Sequence, residues 1–228
     1  MAITLLFMVF AVLLVIGVPV AYALAASALA TLLYLGLPSV VLVQQISAGT
    51  GSASLIAIPL FIFAGEIMMR GGISERLIAL AASLVGRLRG GLGQVSILSS
   101  LFFGGVSGSA IADVSAVGGT MIPQMVKRGY DRDFAVNVSV TAALVALLVP
   151  PSHNLILFSA AAGGGLSIAD LFAAGIVPAL LMTLVLMVTG YVVARHRGYV
   201  VEPFPGWRAV ASRLVSALPG LGLVTLIF

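Results

Sequence analysis

An all-α polytopic membrane protein, with a re-entrant helical hairpin and a broken transmembrane helix, is predicted by three features of this sequence. The 228 residues are 61% hydrophobic and only 8% charged, whereas about a quarter of an ordinary soluble domain is charged. No acidic or basic side chain occurs before Glu66, so the first part of the chain suits lipid better than water. The apolar runs are repeatedly interrupted by glycine and proline, which membrane segments carry where neighbours or a cavity satisfy the freed backbone. The net charge of +4 resides in eleven Lys and Arg placed between apolar spans. That placement orients a membrane protein and argues against nucleic acid as a partner. The absence of cysteine excludes disulfides and thiolate metal sites, and two histidines are too few for a histidine-based metal cluster.

The first division, residues 1–72, holds the N-terminal transmembrane segments. Ile3 to Leu35 is a run of 33 apolar or small residues, about 50 Å if fully helical against a hydrocarbon core of roughly 30 Å. It must tilt, break or turn back, and Gly17-Val18-Pro19 is where proline removes an amide donor. The side of the N-terminus stays open on this reading. A second apolar stretch, Val40 to Met69, is interrupted at Gly49-Thr50-Gly51-Ser52 and at Pro59. Glu66 lies four residues before Arg70, the spacing of an ion pair on one helix face.

Residues 73–91 are expected to form an amphipathic interfacial helix, with Ile73, Leu77, Leu80, Leu84 and Leu88 at helical spacing and Glu75, Arg76, Arg87 and Arg89 supplying charge. Residues 92–130 form the hairpin. Gly104-Gly105-Val106-Ser107-Gly108-Ser109 separates two apolar pieces of about a dozen residues each, each short for a crossing. Basic residues at both ends, Arg87 and Arg89 before and Lys127, Arg128 and Arg132 after, place both ends on the cytoplasmic side.

Residues 131–196 comprise a span broken at Pro150-Pro151, an external loop at Gly163-Gly164-Gly165, and a following span that ends at Arg195 and His196. Residues 197–213 read as a cytoplasmic basic linker. Residues 214–228 begin a further apolar segment that stops short of the roughly 20 residues a crossing requires. The chain is therefore expected to be the first half of a longer protein.

The two interruptions carry the candidate chemistry. At the hairpin tip, backbone carbonyls and the hydroxyls of Ser107 and Ser109 gather oxygen atoms around Gly108. Pro150 and Pro151 lack amide hydrogens, so the carbonyls of Ala146 and Leu147 lose their usual helical donors. Oxygen clusters of this kind at membrane depth suit Na⁺. The proposed ligands are Ser107, Gly108, Ser109, Ala146, Leu147 and Ser152; the competing reading is a pair of packing kinks holding no ion. Asp113, in the first turn of the second arm, is either an intramembrane functional acid or a charge on the helix dipole. His153 follows the proline break and reads as a pocket residue; Asp113, Pro150, Pro151 and His153 together are assigned to a substrate pocket or its gate. Gly105-Val106-Ser107-Gly108 also fits the G-x-S-G of rhomboid-type intramembrane serine proteases, with Ser107 as nucleophile and His153 as base. Against that, no histidine precedes Ser107 to supply the oxyanion-stabilising group of those proteases. A third alternative is a scaffold fragment without transport activity.

Five segments resemble the large membrane subunit of tripartite ATP-independent periplasmic (TRAP) transporters. They are Ile58 to Gly65, Phe103 to Ala110 with Asp113, Ile122 to Tyr130, Pro150-Pro151-Ser152 and Ser167 to Pro178. The resemblance implies a non-enzymatic, multi-pass subunit of a bacterial inner membrane with Na⁺ as coupling ion and no organic cofactor. It also implies half of an inverted-repeat, elevator-type transporter that takes up organic acids of the C4-dicarboxylate, sialic acid or sugar acid type. The implied partners are a periplasmic solute-binding protein, a small four-span membrane subunit, the C-terminal half of the same subunit and the lipid bilayer. His153-Asn154 departs from the small or apolar residues expected after Pro-Pro-Ser in many members.

Overall fold

The computed structural model describes residues 1–51, 53–162, 165–199, 201 and 203–227. Ser52 of the first interruption, Gly163 and Gly164 of the glycine loop, and Phe228 lie outside the described residues. All regular structure among the described residues is helical. Contacts divide the chain into two units, Met1–Ile56 and Ala57–Phe228.

In the first unit the long apolar run breaks at its glycine–proline pair. Helix α1 (Ala2–Val15) stops before Gly17, which has φ 88°, and α2 (Val20–Tyr34) starts directly after Pro19. The Tyr34 hydroxyl lies 3.9 Å from the Met1 sulfur, which brings the end of α2 beside the start of α1. The 33-residue run therefore turns back on itself as an antiparallel pair. On α2, Ala23, Ser27 and Thr31 recur every fourth residue and are buried. The two hydroxyls donate within their own helix, Ser27 to the Leu24 carbonyl at 3.0 Å and Thr31 to the Ser27 carbonyl at 2.8 Å. A stripe of small residues with internally satisfied hydroxyls permits close helix packing without an unpaired polar group. Helix α3 (Val40–Thr50) follows.

Helix α4 (Ala53–Arg70) leads into the second unit and continues through Pro59. Glu66 accepts from Arg70 Nε at 2.9 Å, the i,i+4 pair expected from their spacing. Helix α5 (Ile73–Val85) buries Leu77, Leu80 and Ala81 and shows its other face to the outside. Helix α12 (Trp207–Ile227) packs on it, with Gly220 against Ile73. This helix starts at Trp207, so the last part of the expected basic linker is helical.

The centre of the second unit is α6 (Gly91–Ser107), in which every residue from Gly91 to Ile97 is buried. After Gly108 and Ser109 the chain returns as α7 (Ala110–Asp113), a π-helical turn (Val114–Gly118) and α8 (Gly119–Lys127). The arms of this helical hairpin are longer than the dozen residues read from the sequence: α6 has 17 residues, about 25 Å of helix. The difference arises at both ends: Gly90, at φ 71°, caps a helix that begins with Gly91, and the helix runs on through Gly104–Ser107, so the tip is confined to Gly108 and Ser109. Polar bridges hold α6 to its neighbours. Ser96 and Ser139 share a 3.2 Å hydroxyl contact, and Gln94 Nε2 donates to the Met187 carbonyl at 2.9 Å.

Helix α9 (Arg132–Ala143) gives way to a 3-10 turn (Val145–Leu147), a cis Pro150-Pro151 bond and α10 (His153–Ala161). The span is thus broken where the prolines stand. Helix α11 (Ile168–His196) has 29 residues and is, among the described residues, the one straight helix long and apolar enough to cross a bilayer alone. Leu180, Leu181, Leu184, Val185 and Val188 on it are each more than half exposed, a surface that calls for lipid or another apolar partner.

Candidate functional site

The hairpin tip and the proline break meet. The amide of Gly108 donates to the Gly104 carbonyl at 2.9 Å, closing α6 with a left-handed residue at φ 57°, a conformation that glycine adopts without steric cost. Ser109 then caps α7, its hydroxyl accepting from the Ala112 amide at 3.4 Å. Gly104 and Gly108 are one turn apart and face the same way. A methyl group at Gly104 would sit 2.7 Å from Ala146 Cα. One at Gly108 would collide with the Pro151 carbonyl. Both glycines are required for backbone to rest on backbone. A third helix joins them: a methyl at Gly65 of α4 would fall 3.1 Å from the Val106 carbonyl. On the far side, Gly175 of α11 leaves room for the Leu148 carbonyl.

The proposed sodium ligands therefore lie in two touching segments, Ser107, Gly108 and Ser109 on one and Ala146, Leu147 and Ser152 on the other. Ser107 Oγ lies 3.4 Å from the Ser109 amide, and Ser152 is fully buried. The oxygens differ from the sequence-based expectation in one respect. The Leu147 carbonyl is not orphaned, because the Ser152 hydroxyl folds back and donates to it. That hydroxyl also accepts from the Leu155 amide and so caps α10. A carbonyl has two lone pairs, so Leu147 retains acceptor capacity. The Ala146 carbonyl has no hydrogen-bond donor among the described residues. No cluster of three His, Cys, Asp or Glu side chains that could hold a metal ion occurs among the described residues.

Asp113 occupies the first turn of α7, fully buried, and spans the hairpin: Ser100 Oγ of α6 donates to its Oδ2 at 2.6 Å. Among the described residues its Oδ1 has no hydrogen-bond partner, and neither has the hydroxyl of buried Ser99, the residue before Ser100. The pairing with Ser100 was not anticipated; a serine on the facing arm of a hairpin is the signal that could have suggested it.

His153 opens α10 and, with Ser107, Ser109, Glu66 and Gly65, lines a cavity of about 210 Å³. Its Nε2 is buried and has no hydrogen-bond partner among the described residues. The histidine and Ser107 face one space, but no hydrogen bond joins them; the Ser107 hydroxyl interacts with Ser109 instead. The nucleophile–base contact of a serine protease is not formed.

A second polar cluster, absent from the sequence reading, ties the loop after the hairpin to the end of α11. Arg197 forks onto Asp133 at 3.0 and 3.1 Å and reaches Asp131 at 2.7 Å. The Tyr199 hydroxyl donates to Asp131 at 2.8 Å, and its ring lies against Tyr130 at a tilt of 33° with centroids 4.2 Å apart. These hydrogen bonds, from Tyr199 first and Arg197 second, hold the Asp131 carboxyl below the usual range.

An all-helical chain of this hydropathy, broken at two places that meet, is built like a membrane transporter. The chain belongs to the DctM family: the family model described as the DctM component of tripartite ATP-independent periplasmic transporters matches residues 7–228. The Salmonella typhimurium protein YgiK is 40% identical over 96% of this chain and 51% of its own length. The C4-dicarboxylate TRAP transporter large permease DctM of Vibrio cholerae is 37% identical over the whole chain and 50% of its own length. The ectoine/5-hydroxyectoine large permease UehC of Ruegeria pomeroyi is 39% identical over 82% of this chain and 43% of its own. The chain spans about half the length of the curated relatives it matches.

Proposed function

We propose that this chain supplies the first half of the large permease of a Na⁺-driven TRAP uptake system in a bacterial inner membrane. The observation that carries the reading is the contact of Gly104 and Gly108 with Ala146 and Pro151, which gathers neutral oxygens from two helix breaks in one buried place. Such an environment fits a hard monovalent cation, because uncharged carbonyl and hydroxyl oxygens at helix breaks are ligands of the kind that hold Na⁺ in transporters. Ser107, Gly108, Ser109, Ala146, Leu147 and Ser152 would hold the ion, which when bound couples its gradient to uptake.

In this reading the α6–α8 hairpin is re-entrant and moves with its cargo in an elevator manner. The cavity bordered by Ser109 and His153 is one wall of the substrate pocket, with Asp113 and the Pro150-Pro151 break as gate elements. Transport needs the second half of the subunit, a small membrane subunit and a periplasmic binding protein. The substrate is an organic acid of the C4-dicarboxylate, sialic or sugar acid class. The relatives' names span a dicarboxylate and ectoine; in this reading the periplasmic binding protein selects among such substrates, and His153 shapes the local pocket that receives them.

The test uses the full-length permease with its partners in proteoliposomes. Ser107→Ala with Ser109→Ala removes two oxygen ligands and should raise half-saturating Na⁺ by about tenfold or more, since each lost polar contact is worth ~1 kcal/mol. Unchanged Na⁺ activation in the double variant would sink the site.

A further inference from the structure

The basic residues near the end of α11 divide into those with a carboxylate partner and those without. Arg197 is matched by Asp131 and Asp133. Arg87, Arg89 and Arg208 are exposed and have no acidic partner among the described residues. The Arg87 guanidinium lies over the Phe204 ring, 4.9 Å from its centroid. Phe204 meets Trp207 edge-on at 5.4 Å, and Arg208 follows directly. Trp207 is 75% exposed. Arg213 donates to the Ala79 carbonyl at 3.3 Å, tying the first turns of α12 to α5.

The level of this cluster is set by Gly90, next to Arg89, which packs against Ala194 in the last turn of α11. Because α11 is the helix of membrane-crossing length, the cluster lies where that helix leaves the hydrocarbon. Exposed arginines held together without counter-charge repel one another unless an anion lies among them. A guanidinium pairs with a phosphodiester through two parallel hydrogen bonds. An indole beside it has the amphipathic character that favours the headgroup layer.

We infer that Arg87, which lies over Phe204 beside Trp207, forms with exposed Arg89, its near neighbour in sequence, and exposed Arg208, next to Trp207, a headgroup site for anionic phospholipid. The site rests on the membrane placement of the chain and not on its transport chemistry. Its charge complements lipid phosphate, and its aromatic pair enters the acyl boundary.

Trp207 is the single tryptophan, so its fluorescence reports on this place alone. The chain is reconstituted in phosphatidylcholine vesicles containing either brominated phosphatidylglycerol or brominated phosphatidylcholine, both of which quench indole on contact. The anionic lipid should quench at a mole fraction on the order of tenfold lower, as clustered cations at an anionic surface imply. Arg87→Gln/Arg89→Gln/Arg208→Gln should bring the two lipids to about equal potency, while the corresponding triple Lys variant keeps most of the preference. Equal quenching of the unaltered protein overturns the lipid site and leaves the patch to an acidic protein surface. A preference that survives the triple Gln change overturns the assignment to these arginines. Absence of quenching by either lipid overturns the membrane placement itself, an outcome distinct from loss of Na⁺ coupling.

Discussion

Ser100 and Asp113 join the two arms of the hairpin through one short hydrogen bond, 2.6 Å between the serine hydroxyl and the carboxyl Oδ2, with both side chains buried. Thirteen residues separate them in sequence, and the bond lies inside the bend. The other carboxyl oxygen has no hydrogen-bond partner among the described residues. Ser100→Ala removes the one hydrogen bond this carboxyl makes to a side chain. The expected cost is ~1–3 kcal/mol of stability, read as a lower melting temperature in detergent. Ser115→Ala, whose exposed hydroxyl bonds only within its own helix, serves as the control and should change little.

Glycine substitutions separate the joint from the rest of the hairpin. Gly108→Ala requires a left-handed alanine, costing on the order of 1 kcal/mol, and drives a methyl into the Pro151 carbonyl. It should push the tip off the break and abolish Na⁺ activation in the full-length permease. Gly119→Ala meets nothing within 4 Å and should be neutral or stabilising by up to ~1 kcal/mol, because it sits at the start of α8. Equal effects of the two changes on uptake would contradict the joint.

His153 carries a buried nitrogen with no hydrogen-bond partner among the described residues, a cost borne by the resting protein. His153→Leu should raise thermal stability by about 1 kcal/mol while raising KM for substrate more than it alters half-saturating Na⁺. A variant that loses both stability and Na⁺ response would place the histidine in the ion site instead.

The clamp at Arg197 should show a pH signature. Its folded-state hydrogen bonds lower the Asp131 pKa. The associated stability is therefore present above the ordinary aspartate value and lost as pH falls through the lowered one. Melting temperatures of the unaltered chain and of Asp131→Asn should differ at neutral pH and converge below about pH 4. A difference that stays constant across that range would contradict the linkage.

The breaks were legible because glycine and proline act locally. Gly17-Pro19 turned the first run back, and Pro150-Pro151 ended the 3-10 turn, each where the missing amide or the φ restriction fell. The four-residue spacing of Gly104 and Gly108 was also in plain view. Less visible were interactions made across sequence distance. Arg197 reaches Asp131 over 66 residues, and no local pattern separates it from the other basic residues that follow α11. The start of α12 was missed because Arg208 and Arg213 read as linker charge, whereas long arginine stems can lie along a helix and carry their heads outward. Ser152 was assigned as an ion ligand alone, although a serine after proline and before a helical run is also an N-cap, and capping brings its hydroxyl back to Leu147.

The pressing of Gly104 and Gly108 onto Ala146 and Pro151 has a mechanical consequence. Surfaces that interlock through leucines or phenylalanines must lift each knob from its hole before they can shift, and each lift is a barrier. Here the glycines offer no knobs, and the face opposite Gly104 presents only backbone and the small Ala146 and Val149 side chains, so separating the hairpin tip from the proline segment would require few changes of rotamer.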